Sequence, residues 1–220
     1  MNTVPLQDHL FWGSRSPLST LIGVGLLITA SSRTAFALVT LGALVWVYAL
    51  TALVFRVASP VFPVKGKGFA LVCVSTFWGS LYHFIVCLIS PFLGMETFLF
   101  ITLTPVYCIA AGSIPRLKTA SLQDALIRAA CEALTLGLLI LAFALVREPL
   151  GFGSLSLPGG MRGSVEILGN RENPLFPIQI VGGSAGALLL FGYGLAVYRQ
   201  EKKRQTRRDS VEKSGGNHDR

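Results

Sequence analysis

Apolar residues fall along this chain in six blocks separated by short polar or turn-forming stretches. The first, Leu18 to Ala30, is too short for the about 20 residues that a helix needs to cross a bilayer. It closes at the polar turn Ser31-Ser32-Arg33-Thr34. Ala35 to Phe55 is an uncharged block of full spanning length, and Phe69 to Ile89 is another, ended by Ser90-Pro91. Thr97 to Gly112 is short and interrupted, Ala125 to Val146 is long, and Ile178 to Tyr198 is long and glycine-rich. Between the last two lies a polar stretch from Arg147 to about Pro177, which reads as a loop. The pattern predicts an all-α membrane protein of six transmembrane segments, the first and fourth being short half-helices. Short or Gly/Pro-interrupted segments at matching positions of two halves mark a 3+3 inverted repeat. The expected organisation is a lead-in over 1–17, a six-segment membrane domain over 18–198 and a basic tail over 199–220, the tail disordered beyond its first turns.

Composition supports this reading. Of the 220 residues 52% are hydrophobic and only 14% charged, against about 25% charged in soluble domains. No polar stretch is long enough to bury a core of its own. Half of the net charge of +8 sits in the tail from Arg199 to Arg220, which favours an anionic lipid surface over nucleic acid as the partner of that charge. Six crossings put both termini on one side. Fourteen of the 19 Lys and Arg residues then lie on the terminal side and four on the other, with Arg128 inside a span. That asymmetry predicts cytoplasmic termini. Met1 to Pro17 lacks a positive n-region and does not read as a cleaved signal peptide.

Candidate chemistry is sparse. Pro105 lacks a backbone N–H, and in a regular helix its ring would clash with the carbonyl of Ile101. Gly112 and Pro115 punctuate the far end of that segment. Irregular backbone at membrane depth persists only where protein or a cavity covers it. Cys108, three residues past the proline, is either a small packing residue or a soft ligand for a metal or cluster. Cys73, Cys87 and Cys131 have no CxxC spacing, and Cys73 and Cys87 would stand roughly 21 Å apart along one helix. His83 is a proton relay or, more commonly for a lone helix histidine, a hydrogen-bonded packing residue. Asp124, Arg128 and Glu132 recur every fourth residue, which reads as a local interfacial charge ladder rather than an ion path.

Three patches resemble one family. Trp12 with Leu21-Ile22-Gly23-Val24-Gly25-Leu26-Leu27, then Val106-Tyr107-Cys108-Ile109-Ala110-Ala111-Gly112, then Arg147-Glu148 with Leu150-Gly151, Gly153 and Leu155, are similar in order and spacing to the integral-membrane subunits of the Rnf and Nqr respiratory complexes. The likeness covers roughly residues 10 to 210 and is strongest to the RnfE/NqrD branch, the one with cytoplasmic termini. It implies a six-helix inverted repeat in a bacterial inner membrane, paired with an oppositely oriented paralogous subunit. The complex would couple electron transfer from ferredoxin or NADH to movement of Na⁺ or H⁺. In the family, four half-helix cysteines from two subunits hold a [2Fe-2S] cluster, and thiolates are the usual ligands of such clusters. The resemblance makes Cys108 the second ligand of this chain, with Pro105, Tyr107 and Gly112 beside it. Gly25 stands where the first ligand belongs and has no donor atom. Leu26 replaces the family's proline, Tyr107 its asparagine, and Arg128 its acidic residue early in the fifth helix. Three functions follow as expectations: half of a transmembrane electron conduit, a non-redox structural or assembly subunit that has lost the cluster, or a small-molecule transporter.

Overall fold

The computed structural model describes residues 21–58, 66–111, 122–159, 163–168, 179–194, 196–197 and 200. Among these, α1 is Leu21–Ala30, α2 Thr34–Ala58, α3 Lys67–Ile89, α4 Pro91–Ala111 and α5 Leu122–Phe152. The strands β1, Leu155–Pro158, and β2, Ser164–Leu168, follow, then α6, Gln179–Gly182, and α7, Ser184–Gly194. Four helices, α2 to α5, are long and apolar enough to cross a membrane. That is the makeup of a multi-pass membrane protein.

Helix α1 is short, as its apolar block predicts. The Ser31 N–H still bonds to the Leu27 carbonyl at 3.2 Å, and the chain then turns through Ser31-Ser32-Arg33 into α2. Two serines, a charged residue and a threonine give this turn polar groups with which to satisfy helix ends.

Helix α4 departs from expectation. It is not a short broken segment over Thr97 to Gly112 but a continuous helix of 21 residues that starts at Pro91. Ser90 explains the start. Its backbone is extended, with φ −150° and ψ 96°, and its N–H closes α3 on the Val86 carbonyl. Its side-chain oxygen then accepts the Leu93 N–H at 3.4 Å, while its carbonyl accepts the Gly94 N–H at 2.9 Å. This is an N-cap with proline at the first helical position, where a missing N–H costs nothing. The dipeptide that ends one helix therefore begins the next.

Pro105 sits inside α4 because α3 makes room for it. A Cβ on Gly79 would lie 2.6 Å from the Pro105 Cγ. A proline in a membrane helix is tolerated where a neighbour covers the site, and a glycine on the facing helix gives the closest cover.

Helix α5 also departs from expectation. It runs 31 residues to Phe152, so Arg147-Glu148-Pro149 are helical and not the opening of a loop. Gly153 ends it at φ 65°, with its N–H on the Pro149 carbonyl at 3.0 Å. Only a residue without a Cβ takes that left-handed backbone cheaply. The next surprise is an antiparallel hairpin, so the chain is not wholly α-helical. Ser156 pairs with Glu166, Leu157 with Val165 and Pro158 with Ser164, and the register shifts between Leu155 and Ser156.

The expected last span, Ile178 to Tyr198, is broken at Gly183 into α6 and α7 in its described part. Close packing accounts for the bend. A Cβ on Gly151 would lie 2.7 Å from the Gly182 Cα, and one on Gly186 would run into the Ile180 carbonyl. Among the described helices the short ones are therefore the first and the last two, not the first and the fourth.

Helix α2 is central and packs against α3, α4 and α5, while α1 packs on α4 and α5. Its closest partner is α5, whose inner face repeats small residues at Ala125, Ala129, Ala133 and Ala144 around Leu136 and Ile140. In lipid, apolar burial does not drive helices together. Small residues that bring backbones near and dispersion between them take over. The start of α2 meets the end of α5 through side-chain bonds, and Gly163 of the hairpin region lies against Phe92 at the start of α4. One end of the bundle thus gathers the starts of α2 and α4, the end of α5 and the hairpin.

Candidate functional site

Cys108 lies in the core and not at a surface. It is 0% exposed, in one cluster with Leu26 and Leu27 of α1, Tyr48 of α2 and its neighbour Tyr107. The Tyr48 and Tyr107 rings stand 6.0 Å apart between centroids. Gly25 is one residue from this cluster, but a Cβ built on it meets nothing within 4 Å. The two positions that the resemblance pairs are therefore on packed helices, one facing in and one facing open space. Pro105 is buried against Gly79. Gly112 lies outside the described residues.

A titratable group that the sequence places in a charge ladder also belongs here. Glu132 lies near enough to Tyr107 and Cys108 to interact electrostatically with both. Arg128, at the position where the resemblance expects an acid, is exposed, as is Asp124. A sequence signal for this exists. Glu132 lies one residue before Ala133 and three after Ala129, beside the alanine stripe that faces the core.

The more elaborate polar site is at the gathered end of the bundle. Arg147 is 2% and Glu148 1% exposed. The Arg147 Nε donates to the Val181 carbonyl at 3.1 Å. One terminal nitrogen donates to the Ile28 carbonyl at 2.7 Å and to Ser31 Oγ at 3.1 Å. The other donates to the Gly182 and Gly183 carbonyls at 2.8 and 3.1 Å. Glu148 turns the other way and accepts the Thr34 N–H at 2.6 Å together with the Thr34 hydroxyl. Ser156 of β1 takes the Ala35 N–H at 3.5 Å, and Arg33 reaches Ser164 of β2 at 3.2 Å. The electrostatics are matched. A carboxylate meets the N-terminus of α2 and a guanidinium meets the C-terminus of α1, as helix dipoles favour. The sequence marks Arg147-Glu148 and the Ser31–Thr34 turn separately. It offers no means of joining them, nor of finding the carbonyls of Val181, Gly182 and Gly183.

His83 is held between two helices. Its Nε2 lies 3.2 Å from the Gly94 carbonyl, which only accepts, so that nitrogen carries the proton when the bond is made. Cys87 lies 3.5 Å from the same nitrogen, and the ring meets Phe98 edge-on at 5.2 Å. This is the hydrogen-bonded packing arrangement. Cys73 and Cys131 are exposed, and all four cysteines are free thiols. Among the described residues no three His, Cys, Asp or Glu side chains come together as a metal-binding group. Neither a protein-family model nor a curated protein matches this chain.

Proposed function

We propose that this chain is a multi-pass membrane subunit of an Rnf/Nqr-type complex and serves there as a helical scaffold, not as half of a cluster site. The observation that carries the scaffold role is the surrounding of Cys108. A cluster shared by two subunits needs sulfur atoms at their common surface. Here the one candidate sulfur is sealed within the chain's own core, and the paired position is Gly25, which has no side chain. The residues present do not fit a family-type [2Fe-2S] site. The assembly would be the one the resemblance implies: an inverted paralogous partner, electrons from ferredoxin or NADH, and Na⁺ or H⁺ as the ion moved. The six-crossing 3+3 repeat, the bacterial inner membrane and the cytoplasmic termini belong to the same reading, supported by four span-length helices and the basic tail.

One observation favours the electron-conduit reading as second choice. Helices α1 and α4 pack together, with Leu26, Leu27 and Cys108 in one cluster. The test separates the two readings. The complex is purified anaerobically with its native partners, and iron content and the reduced electron paramagnetic resonance spectrum are recorded for wild type and Cys108→Ala. The scaffold reading expects identical spectra and iron, and loss of the assembled complex when the chain is deleted. A cluster signal lost in Cys108→Ala would overturn it in favour of the conduit.

A further inference from the structure

Arg147 fills a cage of oxygen atoms. A guanidinium has five N–H groups and no acceptor, and the five acceptors around Arg147 are the carbonyls of Ile28, Val181, Gly182 and Gly183 and the hydroxyl of Ser31. The four carbonyls come from two places where helices stop: the end of α1 and the bend between α6 and α7. Carbonyls at helix ends and at unwound backbone are what membrane proteins use to hold a desolvated cation. With the side chain 2% exposed, water does not substitute for the guanidinium. Without the guanidinium the Ile28 carbonyl keeps the Ser31 hydroxyl and the Gly183 carbonyl keeps the Ala187 N–H, while the Val181 and Gly182 carbonyls lose the donor described for them, which is costly in a bilayer.

We propose that this oxygen basket is a binding site for a guanidinium-class cation and that Arg147 is its tethered occupant. The tether has a mechanical effect. The last turns of α5 hold the end of α1 and the α6–α7 bend to each other, so neither break opens alone. It also has a chemical one. The carbonyls of this basket are already taken by a tethered cation and are not open to a free monovalent ion. Planarity is the basis of selectivity. A fork with five fixed donors spans acceptors on two separate segments, whereas an ammonium has three donors about one point. The proposal stands on the geometry alone, apart from the assembly in which the chain works.

The test uses the full-length protein in lipid nanodiscs. Arg147→Ala is titrated with methylguanidinium chloride, and with sodium chloride and tetramethylammonium chloride at matched ionic strength, while the thermal midpoint is followed. The variant is expected to melt below wild type and to recover most of the loss saturably with methylguanidinium only, while wild type does not respond. Equal recovery with sodium, or the same response in wild type and variant, would overturn the proposal. If Arg147→Ala does not accumulate, the arginine side-chain nitrogens of wild type and Arg147→Lys are compared by ¹⁵N magnetic resonance. A guanidinium signal protected from solvent exchange in wild type and missing in Arg147→Lys supports the basket. Fast exchange of every arginine signal sinks it.

Discussion

Glu148 shows most directly how one side chain can decide a membrane fold. Its carboxylate takes the Thr34 N–H and hydroxyl at the first turn of α2. Removing it leaves a buried amide without a partner. Glu148→Ala is therefore expected to destabilise the protein by about 3 kcal/mol, the usual size for breaking a buried charged contact. Glu148→Gln keeps an acceptor and is expected to lose roughly half as much. Equilibrium unfolding in mixed micelles measures both, and equal losses for the two variants would count against the capping role. Cysteine burial gives a second prediction. In detergent, Cys73 and Cys131 are expected to react with a maleimide first, Cys87 more slowly, and Cys108 only on unfolding, as read by mass spectrometry of tryptic peptides. Early labelling of Cys108 would contradict its enclosure. Residues of this kind are only half legible in a sequence. That Arg147-Glu148 matters is visible in the motif. That both are buried is not, because the Ile28 carbonyl lies 119 residues away along the chain and the Val181 carbonyl 34. Nothing local marks a backbone oxygen as the partner of a distant arginine.

Among the elements, α2 and α3 are readable because run length alone fixes a membrane span. The prolines mislead for two different physical reasons. Pro91 does mark a stop, but a proline that ends one helix is equally suited to start another when a serine precedes it. Pro105 looks like a break when its effect is judged from its own segment, whereas Gly79 on another helix decides it. The hairpin and the α6–α7 bend escape sequence reading because glycine-rich polar sequence has little periodicity, and the close approach of Gly151 to Gly182 is a tertiary fact. The Gly79–Pro105 contact makes a prediction at this scale. Gly79→Ala puts a methyl 2.6 Å from the proline ring and is expected to cost about 1–3 kcal/mol, as overpacking does. Pro105→Ala removes the obstacle and restores an N–H for the Ile101 carbonyl. The double variant is then expected to be more stable than the sum of the two losses. A double-mutant cycle with no coupling energy would mean that the helices do not meet at these two residues.

At the scale of the molecule, charge and packing have to agree on one orientation. The bundle sorts its ends. Arg147, Glu148, the hairpin and the starts of α2 and α4 share one end. The end of α2, the start of α3 at Lys67, the end of α4 and the start of α5 lie at the other, and Lys65, Arg116 and Lys118 fall in the sequence between those helices. The outer faces of α3 and α4 carry Phe69, Phe77, Phe84, Leu88, Phe92, Met95 and Leu99, all exposed and suited to acyl chains or to another membrane subunit. Positive charge in short loops marks the cytoplasmic side, so the Arg147 end is expected to face away from the cytoplasm. Arg147 itself is an arginine on that side, but its charge is spent on carbonyls and does not act as a free topological signal. The prediction is that green fluorescent protein fused after Arg220 fluoresces, and that alkaline phosphatase fused there is inactive. Phosphatase inserted between β1 and β2, at Gly160, is expected to be active. Cutting the basic tail after Tyr198 leaves six lysines and arginines on the terminal side against Arg33, Arg162 and Arg171 on the other, with Arg147 held by carbonyls. If the truncated chain keeps its orientation, the short loops suffice to set it. If it inverts or splits between two orientations, the tail sets the topology, and the polar node takes whichever side the tail assigns.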